Sequence, residues 1–231
     1  MKFNDWKEVY TQICIDLEID TAKDEAASDL LDGLIHVYQR NLVGPETLKK
    51  LIKNKKVYVF GAAPSLESDI EKHRSLFKNE TLIAADGATS ALLKYDILPS
   101  IIVTDFDGVI SDQLTANEKH SILVIHAHGD NTDVIQRTIP RIKGPYCGTV
   151  QTDPSSHDYV HNFGGFTDGD RAVFLADYFH AKKIILCGFD CEDKPGAYSF
   201  QKSGNETKKK KKLAWCKKLI SGFPPQYLKY I

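Results

Sequence analysis

Residues 100–108 read SIIVTDFDG: a short, nearly continuous apolar run rich in β-branched residues, followed at once by two acids and a glycine. Such a run, without polar alternation, is what a strand buried on both faces looks like. Working outward, the pattern recurs as KVYVF (56–60), TLIAA (81–85), SILVI (121–125) and KIILC (183–187). Helical patterns lie between these runs at 66–77, 87–95, 112–119, 131–138 and 169–181. Strand–helix alternation predicts an α/β fold: a mostly parallel sheet flanked by helices.

The ends of the chain read differently. Residues 1–54 form an N-terminal helical segment, and residues 55–231 the α/β domain. Trp6, Val9, Tyr10, Ile13, Ile15 and Leu17 recur at roughly helical spacing. A second helix is expected from about Ala22 to Tyr38. After the Gly44-Pro45 break, a short third helix should end near Lys53. Residues 144–166 suggest loops around one or two short strands, and 192–206 a polar loop. The lysine run Lys208–Lys212 opens a last helix to about Ile220, and Pro224-Pro225 ends the regular structure.

Composition excludes several classes. Lys+Arg 30 against Asp+Glu 31 gives a net charge of -1, so no global basic field exists to hold nucleic acid or an anionic membrane. No apolar run approaches the ~20 residues of a membrane helix. The opening MKFNDWKEVY lacks the apolar core of a secretory signal, so a cytoplasmic protein is expected. Cys14, Cys147, Cys187, Cys191 and Cys216 form no C-x-x-C pair and read as reduced, structural thiols.

Ligands of parallel sheets bind beyond the carboxyl ends of the strands. There the sequence places Gly61-Ala62-Ala63-Pro64-Ser65, Asp86-Gly87-Ala88, Asp105-Phe106-Asp107-Gly108, His126-Ala127-His128-Gly129-Asp130 and Gly188-Phe189-Asp190. The Gly61–Ser65 turn enters a helix and suits an anion held by backbone N–H groups, with the Ser65 hydroxyl as a further donor. A plain strand-to-helix turn capped by Ser65 is the equal alternative. The turn is neither a G-x-G-x-x-G nor a Walker A loop.

Asp105 and Asp107, two residues apart, would point to one side in extended backbone. Carboxylates so close repel unless a cation lies between them, and Mg²⁺ favours oxygen ligands. Asp86, ending a neighbouring strand, could complete the metal site; ordinary turn chemistry is the alternative. Asp130 is the natural N-cap of the helix at 131–138. His126 and His128 read as substrate-contact or structural residues, with zinc a minor option. Thr167 or Asp168 would cap the helix at 169–181, after Gly164-Gly165. Arg171 in its first turn opposes the helix dipole and would meet an anion such as a triphosphate. One lysine of Lys208–Lys212, taken as Lys212, would reach the phosphates.

The ordered series GAAPSLE, AADGATSALL, PSIIVTDFDG, HAHGDN, GGFTDGDRA and CGFD resembles the archaeal MptE-like 6-hydroxymethyl-7,8-dihydropterin pyrophosphokinase family over about residues 56–220. The ADGA…TDFDG pair is also similar to thiamine pyrophosphokinase, whose catalytic fold is related. Ala63 stands before Pro64, where the family pattern G-x-G-P-S has glycine.

The resemblance implies Mg²⁺-dependent transfer of diphosphate from ATP to the pterin hydroxymethyl group, with release of AMP, in tetrahydromethanopterin or folate biosynthesis. For such a reaction, the residues read above place metal at Asp86, Asp105 and Asp107, and catalysis at Asp105, Asp107, Asp130 and Arg171. Cofactor binding falls to Gly61, Ala62, Ser65, Asp86, Gly87, Thr167, Asp168 and Lys212. Asp130 or Asp190 would orient the alcohol or the pterin amine. Partners are small molecules, ATP and a reduced pterin, with no nucleic acid and no membrane. The N-terminal helices could cover the sheet edge, complete the acceptor pocket or form a homodimer contact. The alternatives are thiamine pyrophosphokinase, a glycosyltransferase of the broader group that includes flagellin-glycosylation proteins, and a nucleotide-binding module without turnover.

Overall fold

A computed structural model describes residues 3–190, 196–199 and 206–231. The strand–helix alternation folds into one eight-stranded sheet. Its strands are β1 (Lys56–Phe60), β2 (Thr81–Ala85), β3 (Ile101–Thr104), β4 (Ile122–Ala127), β5 (Tyr146–Val150), β6 (Val160–His161), β7 (Lys183–Cys187) and β8 (Leu228–Tyr230). Their order is β6-β5-β4-β3-β2-β1-β7-β8, and every pairing is parallel.

The apolar runs explain the layers. Every residue of β2, β3 and β4 is buried, as the absence of alternation requires. One face packs under α4 (Leu66–His73), α5 (Ala88–Lys94), α6 (Ile110–Glu118) and α7 (Thr132–Thr138). The other packs under α3 (Pro45–Ile52), α8 (Asp168–Tyr178) and α9 (Glu206–Ser221). Most connections are short, so the loops at the carboxyl ends of the strands gather along one rim.

The N-terminal helices are built into this frame. Ala27, Leu31 and Ile35 of α2 (Thr21–Val37) are fully buried in the core cluster that holds Leu123 and Tyr146. Full burial of each large aliphatic side chain contributes about 1.5–3 kcal/mol. Helix α1 (Phe3–Leu17) sets Trp6, Tyr10 and Ile13 against Phe166, with Trp215 and Leu219 of α9 packed alongside.

Two sequence expectations are corrected. Regular structure does not end at Pro224-Pro225: β8 follows and pairs with β7 through Ile184–Leu228. Three residues after a double proline carry no readable period. At the other site, Asn131 rather than Asp130 is the N-cap of α7. The expected polar loop 192–206 and Cys191 lie largely outside the described residues. Among the described residues no helix is long and apolar enough to cross a membrane.

Candidate active site

The rim encloses a cleft of about 1150 Å³. At its centre are Asp86, Asp105, Asp107 and Asp168, with one carboxylate oxygen from each all within 4.8 Å of one another. Each arrives by a different device. Asp86 closes β2 with φ +38, a left-handed conformation that non-glycine residues rarely adopt. Its Oδ1 accepts from Thr104 Oγ1 (2.6 Å) and Gln113 Nε2 (2.7 Å). Its Oδ2 lies where a Cβ at Gly108 would be, so only glycine fits there.

Asp105 and Asp107 do converge, but not through extended backbone. Phe106 between them has φ +65, and the Asp107 N–H turns back onto Asp105 Oδ1 (3.2 Å). This tight turn buries the Phe106 ring in the core while the flanking carboxylates stay at the rim. Asp168 opens α8 and meets the other three from across the cleft. The sequence suggests capping and cofactor binding for Asp168; its membership of the carboxylate cluster is visible only in the fold.

Electrostatics separate the four. Burial alone would push Asp105 up, but a hydrogen bond from His128 Nε2 (3.1 Å) and the Arg171 guanidinium outweigh it and hold the acid at about 2. Burial and then the Asp105 charge raise Asp86, and the same two causes raise Asp168 well above the carboxylate range. Asp107 is pushed up to about 8 by restricted water access in the cleft, then by Asp105 and Asp86. Burial and mutual repulsion thus favour the protonated forms of Asp86, Asp107 and Asp168, and the charged form is favoured at Asp105. Four hard oxygen donors at this spacing suit Mg²⁺ or Mn²⁺ and offer nothing to a soft metal.

Arg171 lines the cleft and is 7% exposed. Its Nη1 donates to Asp168 Oδ1 (3.0 Å) and its Nη2 to the Gln151 amide oxygen Oε1 (3.0 Å), so it holds a carboxylate of the cluster. The glycines before it also serve the chain itself. Gly164 and Gly165 have φ +83 and +87, and a Cβ on Gly165 would strike the Arg171 backbone. Thr167 is the N-cap of α8, with its N–H (3.0 Å) and hydroxyl (2.7 Å) donated to Asp170.

The Gly61 loop stands at the same cleft. Gly61, Ala62 and Ala63 line the cleft. Yet Gly61 N–H donates to the Cys187 carbonyl (2.9 Å) and Ala63 N–H to that of Gly188 (3.1 Å). Ser65 gives its hydroxyl to Asp190 (2.5 Å) and its N–H to the same carboxylate (3.2 Å). The Gly61 and Ser65 donors thus meet acceptors of the chain itself, Asp190 among them. Gly87 lines the cleft beside Asp86.

His126 is buried in β4 against Thr149 (3.0 Å), away from any metal-like geometry. Asp130 opens onto the cleft, and among the described residues no donor meets its carboxylate. From α9, Lys212 lies over the Phe166 ring (5.8 Å) and Lys209 donates to Ser199 (2.9 Å); both line the cleft. Burial lowers Lys209, with Asp107 opposing that effect. Lys209 belongs to the expected run Lys208–Lys212 and stands one helical turn before Lys212. Sequence reading missed Asn131, whose side chain ties the Asp105 and His126 carbonyls together (2.9 and 2.8 Å).

Comparison with known proteins gives the family. The family described as 6-hydroxymethylpterin diphosphokinase MptE-like matches residues 33–196. A Pyrococcus furiosus protein named 6-hydroxymethyl-7,8-dihydropterin pyrophosphokinase is 43% identical over 226 residues, covering 95% of this chain and 93% of its own. Proteins of the same name from Methanothermobacter thermautotrophicus and Methanocaldococcus jannaschii are 40% and 38% identical, over 86% and 82% of this chain and 83% and 80% of theirs. A solved MAf glycosyltransferase from Magnetospirillum magneticum aligns with 76% of this chain and 29% of its own, at 15% identity and a TM-score of 0.48, too slight a likeness to carry weight. With its family match over most of the α/β frame and three relatives along nearly all its length, the chain belongs to the MptE-like 6-hydroxymethylpterin diphosphokinase family.

Proposed function

We propose that this chain transfers diphosphate from ATP to the hydroxymethyl oxygen of 6-hydroxymethyl-7,8-dihydropterin, releasing AMP, in reduced-pterin biosynthesis in the cytoplasm. The single observation that carries the reading is the convergence of Asp86, Asp105, Asp107 and Asp168 in the cleft of a chain from this family. The new bond joins the acceptor oxygen to the β-phosphorus, and the bond from that phosphorus to the α-phosphate bridging oxygen breaks. The hydroxyl proton leaves, and AMP takes the electron pair.

Asp86, Asp105, Asp107 and Asp168 would hold Mg²⁺, which when bound neutralises charge across the phosphates. The chain's own residues do the remainder. Arg171 and His128 fix the directions of Asp168 and Asp105. Lys209 and Lys212 bring positive charge to the cleft opposite Asp107. Asp130 orients the acceptor hydroxyl and receives its proton. Positioning and charge stabilisation supply most of the acceleration in such transfers.

The test is AMP formation from ATP and Mg²⁺ with the reduced hydroxymethylpterin, and separately with thiamine. AMP with the pterin supports the reading. AMP with thiamine alone would make the chain a thiamine pyrophosphokinase, and AMP with neither would reject diphosphate transfer to both acceptors.

A further inference from the structure

Asp24 of α2 lies outside the family match at residues 33–196, yet it is 3% exposed and lines the cleft. It shares a helix face with Ala27, Leu31 and Ile35, so it is an acid at a core position. Its carboxylate collects three donors. Gly129 N–H reaches Oδ1 at 2.7 Å, Gln151 Nε2 reaches Oδ2 at 3.2 Å, and the Tyr10 hydroxyl of α1 also donates to Oδ2. Both branches lead to the acidic cluster. Gly129 follows His128, which donates to Asp105 (3.1 Å). Gln151 accepts Arg171 Nη2 (3.0 Å), and Arg171 Nη1 holds Asp168 (3.0 Å).

The order of donors and acceptors is fixed. A carboxylate accepts, so Gln151 must present its NH₂ to Asp24 and its carbonyl to Arg171. A guanidinium only donates, so a flipped Gln151 amide would set donor against donor. We infer that Asp24 is a positioning residue for the cation centre: through Gln151 it orients Arg171 and hence Asp168, and through Gly129 it anchors the loop that carries His128. The N-terminal helices thus complete the site rather than merely covering the sheet. The inference deepens the proposed function and rests on its cation site, not on the identity of the acceptor.

Groups that orient metal-binding side chains typically change metal affinity by about 10–100-fold when altered. The experiment is Mn²⁺ titration of the full chain without substrates, followed by calorimetry or by the manganese spin signal. Asp24→Asn is expected to weaken Mn²⁺ binding about tenfold or more. In Asp24→Asn/Gln151→Glu, the residue at 151 accepts from both neighbours, so donor–acceptor order returns and most of the affinity should recover. A merely structural role for Asp24 predicts no such rescue. If Asp24→Asn fails to fold, Gln151→Met carries the same expectation of about tenfold weaker binding. Wild-type affinity in Asp24→Asn, in Gln151→Met, or a double variant no tighter than Asp24→Asn, overturns the inference alone. A wild-type chain that binds no Mn²⁺ overturns both the inference and the cation site beneath it.

Discussion

The two sides of the rim stand at the carboxyl ends of strands of the same parallel sheet, and both are built from acids and glycines. On the β1–β7 side, the fold satisfies its own groups. Asp190 takes the Ser65 N–H, Asp69 takes the Gly188 N–H (2.8 Å), and the two carboxylates share the Ser65 hydroxyl, at 2.5 Å from Asp190 and 3.1 Å from Asp69. On the β2–β3–α8 side, four carboxylates crowd together, and Asp107 is pushed up to about 8 while Asp86 and Asp168 also rise. Residue type does not separate a structural acid from a functional one. What separates them is whether the surrounding donors match the charge. A site that the fold leaves overcharged is one that something else must neutralise.

Substitutions on the two sides should therefore behave oppositely, and the largest contrast is in turnover. Asp105→Asn and Asp107→Asn should each lower AMP formation by about 10²–10³-fold or more. The melting temperature of Asp107→Asn should stay level or rise, because a carboxyl that the folded chain disfavours as an anion has gone, whereas Asp105→Asn should lower it, because the contacts with His128 and Arg171 that favour the Asp105 charge are lost. Retained activity in both would remove the cation assignment.

A second contrast is in pH. In the cation-free chain Asp107 keeps a proton that the unfolded chain releases near pH 4, so its folded form is favoured at low pH. That contribution is lost as pH rises towards about 8. Because Mn²⁺ must displace the proton, its affinity should climb between pH 6 and pH 8, by up to about tenfold per unit, then level off. A flat profile in a titration series would sharpen the comparison against us.

On the β1–β7 side the effects belong to stability. Asp69→Ala strands the buried Gly188 N–H, and should cost about 1–3 kcal/mol in chemical denaturation with turnover nearly unchanged. The smallest effect is expected for Ser65→Ala, about 1 kcal/mol or less, with turnover within about threefold of wild type. A large loss of ATP affinity in Ser65→Ala would reinstate that loop as a phosphate holder and break the comparison.

Most of the frame was legible because buried parallel strands leave uninterrupted β-branched runs, and the five quoted runs all became strands. β8 was not legible, since three residues after a double proline have no measurable period. At the site, the Asp105–Asp107 spacing was legible, but the left-handed turn at Phe106 that joins them was not. Asp168 and Asp24 were hidden for a different reason. Their partners Arg171 and Gln151 stand near or far along the chain, and only packing reveals which acid each one meets. Asp24 did leave one signal, an acid at spacing three, seven and eleven from Ala27, Leu31 and Ile35 on a buried helix face. Ser65 shows the converse: its setting after a strand suits phosphate equally well, and the competing acceptor Asp190 lies 125 residues away.

Anomalous scattering from Mn²⁺, in crystals grown with a non-hydrolysable ATP analogue, is the most direct test of the central claim. The account predicts a peak among the carboxylates of Asp86, Asp105, Asp107 and Asp168, with the analogue's phosphates against it. A peak elsewhere in the cleft, or bound nucleotide with no metal at these four residues, would contradict it.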